Sequence, residues 1–252
     1  MKITFLGTGT SSGVPVIGCQ CAVCRSDNPK DKRTRSSALI ETDGKRILID
    51  CGPDFRQQMM NMPFSKLDGV LLTHEHYDHV SGIDDLRPFC QFGDIQIYTE
   101  KNVIEALHNR IPYCFKEHKY PGVPLIKLNE ITEGKPFDIE SVEIMPIRIM
   151  HNSLPIVGYR IGSFAYLTDL KYIPENEFDK LRDLDILVIN ALHHKDHIAH
   201  ETLEEALVNI KRITPKKAYL IHMSHQIGLH DEVQAYLPEN VFLAYDGLEL
   251  EQ

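Results

Sequence analysis

The chain has 252 residues, 42% of them hydrophobic, which is enough to bury one large core or two modest ones. Its formal net charge of −9 argues against a long nucleic acid as the main partner, because phosphate binding needs a basic face. No stretch approaches the roughly 18 apolar residues of a membrane span, and the apolar run after Met1 is too short for a signal peptide, so no membrane partner and a cytoplasmic location are expected.

Residues 2–6 read as a first strand, running into Gly7-Thr8-Gly9-Thr10-Ser11-Ser12-Gly13. That turn offers backbone N–H groups to a phosphate, but it lacks the lysine and the following helix of a P-loop, and a plain tight loop is the preferred reading. Cys19, Cys21 and Cys24 follow as C-x-C-x-x-C. In a reducing compartment such a cluster reads as a metal site before it reads as disulfides. Three thiolates need a fourth ligand to close a tetrahedral structural site, and nothing nearby offers one, so it must come from elsewhere in the fold. The remaining cysteines, Cys51, Cys90 and Cys114, stand in apolar surroundings and read as small core residues. The basic stretch of Lys30, Lys32, Arg33 and Arg35 reads as an ordinary solvated loop.

Residues 38–42 and 46–50 form a hairpin about Asp43-Gly44, a strong turn signal. Asp50 closes it, either to orient a metal ligand from behind or as a simple strand-end turn. Asp54 caps a short helix running to residue 60.

The buried strand at 69–72 delivers Thr73-His74-Glu75-His76-Tyr77-Asp78-His79. Imidazole and carboxylate are the ligands of zinc, iron and manganese. One tight loop cannot easily wrap His74, His76, Asp78 and His79 round a single ion and leave a position open for substrate. Two adjacent ions are expected, with His74 and His76 on one and Asp78 and His79 on the other.

Beyond it, 82–89 looks helical up to Pro88, 95–98 is a strand and 101–110 a helix. Residues 112–124, with three prolines and Tyr113, Phe115 and Tyr120, read as a long loop, a surface connection or the wall of a pocket. The strand at 142–150 carries Pro146, which marks an edge or a bulge, and delivers His151. A hairpin of 156–161 and 164–167 delivers Thr168-Asp169, and a helix opens at Pro174 over 174–182. The apolar strand at 185–189 leads into a segment rich in histidine: His193, His194, His197 and His200. Residues 202–213 form an amphipathic helix with Leu203, Ala206, Leu207 and Ile210 on one face. The strand at 218–221 delivers His222-Met223-Ser224-His225, and a helix at 230–237 and a strand at 241–244 follow. Apolar strands ending in a ligand-type residue recur at 50, 74, 151, 169 and 222, which implies a sheet scaffold with one rim built to hold metal.

These residues carry a resemblance. The stretch from Thr73 to His79 matches the H-x-H-x-D-H signature of the metallo-β-lactamase superfamily, and His151, Asp169 and His222 match its remaining motifs in order. The resemblance covers essentially the whole chain. It implies an α/β fold, a four-layer αββα sandwich, as a single domain over 1–252 with a zinc-binding N-terminal loop at about 18–35. Within the superfamily the chain resembles the cyclic phosphodiesterases of the bacterial carbon–phosphorus lyase pathway. The pointers are the Gly-Thr-Gly-Thr-Ser-Ser-Gly-Val-Pro opening, the cysteine cluster and His222-Met223-Ser224-His225.

That resemblance implies His225 as the fourth ligand of a structural Zn²⁺ held by Cys19, Cys21 and Cys24. It implies two divalent ions, Mn²⁺ or Zn²⁺, in the active site. The first would take His74, His76 and His151, the second Asp78, His79 and His222, and Asp169 would bridge them. A water or hydroxide between the ions would be the nucleophile, and His200 would protonate the leaving alkoxide. Asp78 and His200 are thus the residues expected to serve catalysis. The implied partner is a small-molecule phosphodiester of the ribose 1,2-cyclic phosphate or 2′,3′-cyclic nucleotide type, with nucleic acid not expected and a homodimer allowed. Two alternatives stand beside it. A nuclease processing RNA 3′ ends would want a protruding basic arm, and no such insertion stands out. A non-catalytic metal-binding scaffold would be marked by a missing ligand, and every ligand position is filled.

Overall fold

The long apolar runs become central strands and the hairpin signals become their turns. The computed structural model describes residues 1–118 and 120–252. A first sheet holds β1 (Lys2–Gly7), β2 (Ser37–Thr42), β3 (Lys45–Ile49), β4 (Gly69–Leu71), β5 (Ile95–Thr99) and β6 (Ile126–Glu130) in that order. A second holds β7 (Phe137–Ile139), β8 (Val142–His151), β9 (Leu154–Ile161), β10 (Phe164–Leu167), β11 (Ile186–Asn190), β12 (Lys217–Ile221) and β13 (Val241–Leu243). The chain then returns to the first sheet, where β14 (Glu249–Glu251) lies antiparallel beside β1, and the Met1 amino group donates to the Gln252 carbonyl at 2.8 Å.

Both sheets are mixed and repeat one order. In the first, antiparallel pairing from β14 through β3 gives way to parallel pairing from β3 through β6. In the second, antiparallel pairing from β7 through β10 gives way to parallel pairing from β10 through β13. Strands such as β11, Ile-Leu-Val-Ile-Asn, are buried along their whole length, because the other sheet covers one face and helices cover the other. Ile3, Phe5, Ile40, Ile49, Tyr159, Tyr166 and Val188 fill the layer between the sheets.

The helices are α1 (Ala22–Arg25), α2 (Phe55–Met59), α3 (Tyr77–Val80), α4 (Lys101–Arg110), α5 (Leu203–Ile213) and α6 (His230–Gln234). Phe55 of α2, with Val103 and Leu107 of α4, packs on the outer face of the first sheet, and Leu203, Ala206 and Ile210 of α5 pack on that of the second. Thr202 starts α5 with a reciprocal cap, its hydroxyl accepting from Glu205 N–H while the Glu205 carboxylate accepts from Thr202 N–H. The layers run helix, sheet, sheet, helix, as the sequence led us to expect.

Several elements differ from the sequence reading. Residues 83–92 run past Pro88 as successive 3₁₀ turns, which lack a long α-ladder for the missing donor to interrupt. The predicted helix at 174–182 is likewise 3₁₀, from Glu175 to Leu181. Pro146 is paired to β9 without a bulge, but β7 reaches only as far as Ile144, so Pro146 sits on a locally free edge. Two residues on, the Arg148 N–H exposed at that edge is met by the Glu177 carboxylate at 2.8 Å. Cys51 and Cys114 are core residues as predicted, whereas Cys90 is half-buried and its sulfur accepts from Leu125 N–H.

Candidate metal centre

The ends of β3, β4, β8, β10 and β12 bring the predicted ligands to one rim. Three residues there have left-handed backbone: Asp50 (φ 59°), Asp169 (φ 58°) and His222 (φ 55°). This conformation is uncommon outside glycine and is tolerated best by Asn, Asp and His. It turns each side chain off its strand toward the others.

The loop after β4 is not the simple tight loop expected from sequence. It closes into α3 after His76, so Asp78 and His79 sit in the first turn of a helix. That helix is seated on the turn after β3: Cys51 N–H donates to the His79 carbonyl, and a Cβ on Gly52 would come within 2.1 Å of the Asp78 carbonyl oxygen.

Hydrogen bonds fix which nitrogen faces the centre in three of the rings, His79, His74 and His151. His79 Nδ1 donates to Asp50 Oδ2 at 2.7 Å. His74 Nδ1 donates to the Thr73 hydroxyl at 3.0 Å, and that hydroxyl donates in turn to Asp50 at 2.9 Å. His151 Nδ1 donates to the Ala199 carbonyl at 2.9 Å. The Nε2 atoms of His74, His79 and His222 are buried and have no hydrogen-bond partner. They nevertheless crowd round carboxylates. His79 Nε2 lies 3.1 Å from Asp78 and 3.2 Å from Asp169 Oδ1, and His222 Nε2 lies 3.2 Å from Asp169 Oδ2 and 3.6 Å from Asp78. His74 Nε2 is 3.9 Å from Asp169 Oδ2. Orphaned imidazole nitrogens converging with carboxylate oxygens, outside hydrogen-bond geometry, are what a divalent cation would join. The residues present fit such ions.

Ligand atoms of Asp78, His79, Asp169 and His222 all lie within 4.8 Å of one another. The rings of His74, His76 and His151 form the neighbouring group, with centroids 4.5, 5.1 and 5.8 Å apart. His200 stands over both groups, its ring 4.6 Å from His151 and 4.9 Å from His222.

The electrostatics match a cation site. Burial would raise the Asp169 carboxyl, but the His222, His79 and His74 rings override it and hold it well below the usual carboxylate range. Burial, then the His79 charge, keeps His74 well below the ordinary imidazole value and therefore neutral. His200 is lowered to about 3, by burial first and His222 second.

A second cluster pins the N-terminal loop. Cys21 and Cys19 sulfurs lie 3.2 and 3.6 Å from His225 Nδ1, and with Cys24 all four ligand atoms fall within 4.8 Å of one another. The Cys24 N–H and then His225 pull the Cys21 thiol down to about 6, while burial pushes Cys24 up to about 11. His225 lies three residues past His222, so this cluster ties the loop to a strand end of the rim.

Asp50 orients a ligand from behind, one of the two readings its sequence position allowed, but sequence reasoning missed the other groups that aim the ligands. Thr73 stands beside His74 and was recognisable as a hydroxyl at the end of β4. The Ala199 carbonyl carried no signal at all. Arg33 was misread: it is buried and its guanidinium donates to Thr8 Oγ1 and the Ala244 carbonyl, so it is an internal strut and not a solvated loop residue. The glycine-rich turn spends its N–H groups on the protein, Gly9 on the Thr34 carbonyl and Thr10 on the Met223 carbonyl, as a plain loop would. Of the loop aromatics, Tyr113 donates to Asp84, whereas Tyr120 is exposed.

A sheet sandwich whose strand ends gather histidine and aspartate round orphaned nitrogens is the construction of a metal-dependent hydrolase. The chain belongs to the β-lactamase superfamily, whose domain matches residues 45–223. A solved enzyme described as a new diphosphatase from the PhnP family is 37% identical, with a TM-score of 0.92 over 99% of this chain and 96% of that one. An octanoyltransferase of Porphyromonas gingivalis is 49% identical over 99% of this chain but 51% of its own length, so the chain spans about half of that relative. Ribonuclease Z of Borrelia duttonii is 28% identical over 88% of this chain and 92% of that protein. The chain thus has the metallo-β-lactamase fold and is similar both to a PhnP-family diphosphatase and to ribonuclease Z. Among the described residues no helix is long and apolar enough to cross a membrane.

Proposed function

We propose that the chain hydrolyses small phosphodiesters, foremost cyclic esters of the ribose 1,2-cyclic phosphate or 2′,3′-cyclic nucleotide kind. It would do so with two divalent ions, Mn²⁺ or Zn²⁺, at the rim and a structural Zn²⁺ on Cys19, Cys21, Cys24 and His225. The observation that carries the reading is that Asp169 lies among orphaned nitrogens of both ligand sets, 3.2 Å from those of His79 and His222 and 3.9 Å from that of His74. When bound there, the two ions would supply Lewis acidity toward phosphoryl oxygens and lower the pKa of water.

The chain's own groups do the rest. Asp50, Thr73 and the Ala199 carbonyl hold His79, His74 and His151 with Nδ1 protonated and Nε2 turned inward. His200 is the proton donor to the leaving alkoxide. Burial and the neighbouring His222 ring hold its value near 3, so it is neutral in the free site, and an anionic ester against the ring would favour its protonated form.

A second reading has a specific basis. The PhnP-family relative is described as a diphosphatase, so a phosphoanhydride is the competing substrate. The octanoyltransferase name describes a protein twice as long, and we carry no acyl transfer to this chain. The net charge of −9 counts against long RNA.

The test is product analysis by ³¹P NMR with Mn²⁺ present. The panel holds ribose 1,2-cyclic phosphate, 2′,3′-cyclic nucleotides, a nucleoside diphosphate and a precursor tRNA. Opening of the cyclic esters is the expected result. Turnover of the diphosphate alone would favour the second reading, and cleavage of the tRNA alone would move the chain to the nuclease branch.

A further inference from the structure

The glycine-rich turn after β1 and the buried Arg33 stand outside the metal cluster, yet they reach it at one point. Hydrogen bonds at Nδ1 aim the rings of His79, His74 and His151. His222 has no such aid: its Nδ1 is buried and has no hydrogen-bond partner among the described residues. With no hydrogen bond to aim it, the ring goes where its backbone points it. That backbone is left-handed at His222 (φ 55°) and passes at once into Met223. Both backbone groups of Met223 are taken by the turn. Its N–H donates to the Thr8 carbonyl and its carbonyl accepts from Thr10 N–H, each at 3.1 Å.

The turn is itself fixed from behind. Gly9 pairs in parallel with Met223 on one side and with Arg35 on the other, so it joins the exit of β12 in the second sheet to the lead-in of β2 in the first. A Cβ on Gly9 would come within 2.9 Å of Arg33 Cβ and 3.0 Å of the Arg33 and Thr34 carbonyl oxygens, a closeness that only glycine allows. The fully buried Thr8 hydroxyl accepts from Arg33 Nη1 at 2.8 Å and donates to Asp246 Oδ1 at 2.8 Å. It sits between a guanidinium and a carboxylate that are each anchored again. Arg33 donates to the Ala244 carbonyl at 2.6 Å, and Asp246 Oδ2 accepts from Thr34 N–H at 2.6 Å and from the Thr34 hydroxyl at 2.7 Å.

We propose that Thr8, gripped between Arg33 and Asp246, is a positioning residue for His222. It sets where Met223 lies and thereby where the His222 ring stands in the group of Asp78, His79, Asp169 and His222. The role rests on the metal reading above. It acts on one half of the metal centre. His74 and His76 follow β4 and His151 ends β8, and among the described residues the turn shares no backbone hydrogen bond with either strand.

The test compares Thr8→Val, which keeps the shape and removes the hydroxyl, with Thr8→Ser, which keeps the hydroxyl. Hydrogen exchange of the Met223 amide is read on the metal-free protein. Mn²⁺ uptake is followed by EPR, which separates an isolated ion from a coupled pair. Val103→Ala, on the outer face of the first sheet, is the control for lowered stability. Thr8→Val is expected to speed exchange at Met223 and to weaken uptake of one ion about 10-fold or more. Two equivalents of Mn²⁺ should then leave an isolated-ion signal where wild type shows the coupled pair. Thr8→Ser should match wild type, and Val103→Ala should lose stability with the coupled signal intact. Equal weakening of both ions, or the same weakening in Val103→Ala, overturns the proposal by making Thr8 a general support. A wild-type ion pair that Thr8→Val leaves unmoved overturns it too, while the metal reading stands. Faster Met223 exchange in Thr8→Val, with no ion pair taken up by wild type, keeps Thr8 as the clamp on Met223 and removes the metal reading. If Thr8→Val does not fold, Asp246→Asn, which keeps an acceptor for Thr34, is read in its place by the same two measurements.

Discussion

Asp50 makes no contact with the centre of the metal cluster, yet it decides which nitrogen of two histidines faces it, directly for His79 and through Thr73 for His74. Asp50→Asn should keep the left-handed turn, which Asn tolerates, and lose the anionic acceptor. Metal affinity is expected to fall about 10- to 100-fold, read by competition with a chelator. His200→Ala should slow esters with poor leaving groups by about 10²- to 10⁴-fold and activated aryl esters far less, read as kcat along a leaving-group series. Equal losses along the series would remove His200 as the proton donor. At this scale the ligand positions were legible, because a strand followed at once by His or Asp is a local pattern. Their aim was not: the group orienting His151 is a backbone carbonyl 48 residues away, and a carbonyl leaves no mark on the sequence.

The elements that carry the rim are joined by polar staples, and Asp68, just before β4, is one of them. Its carboxylate accepts from Arg46 N–H of β3 at 2.9 Å and pairs with Lys66 at 2.9 Å. Burial works to raise it, but the Arg46 N–H and Lys66 outweigh burial and hold it below the usual carboxylate range. With the folded value lowered, the unfolded chain takes up the proton first as pH falls. The staple therefore contributes fully above about pH 4 and is lost as pH drops through the folded value. Asp68→Asn is expected to cost about 1 kcal/mol at pH 7, and the two proteins should converge in urea melts below about pH 4. The elements legible in sequence were those with strong periodicity or a complete cap, such as β11 and α5. The short strands β6, β7 and β14 were missed, since each lies at a sheet edge or beside one, where pairing with a distant neighbour and not its own pattern makes it a strand. Residues 77–80 were hidden as a helix because their ligands suggested a loop.

For the molecule as a whole, the two sheets share one order of pairings, and the two central aspartates hold like places in it. Asp50 and Asp169 each follow the last antiparallel strand before the parallel set, and each has left-handed backbone. One aims ligands and the other lies among them, so equivalent positions have taken different tasks. The cysteine cluster acts at this scale too, since it ties residues 19–24 to the turn after β12. Cys21→Ser should lower Tm by more than about 5 °C while hydrolysis per rim metal changes little; an unchanged Tm would argue against a structural ion. The αββα layering was legible through the ligand signature, whereas the return of the chain to pair β14 with β1 was not, because three residues carry too little pattern to announce a strand.

That returning strand has a consequence for how the unit can be attached to others. β1 runs in the same direction as β3, so its Gly7 end points toward the metal rim and its Met1 end points away. Residues 1 and 252 are hydrogen-bonded together at that far end. A neighbouring domain joined at either residue would hang from the back of the sandwich and leave the rim open. The two junctions lie side by side, so the unit could also be spliced into a surface loop of another protein with little disturbance to either. A relative that carries a sequence like this one as half of its length is the kind of protein such a hinge point permits.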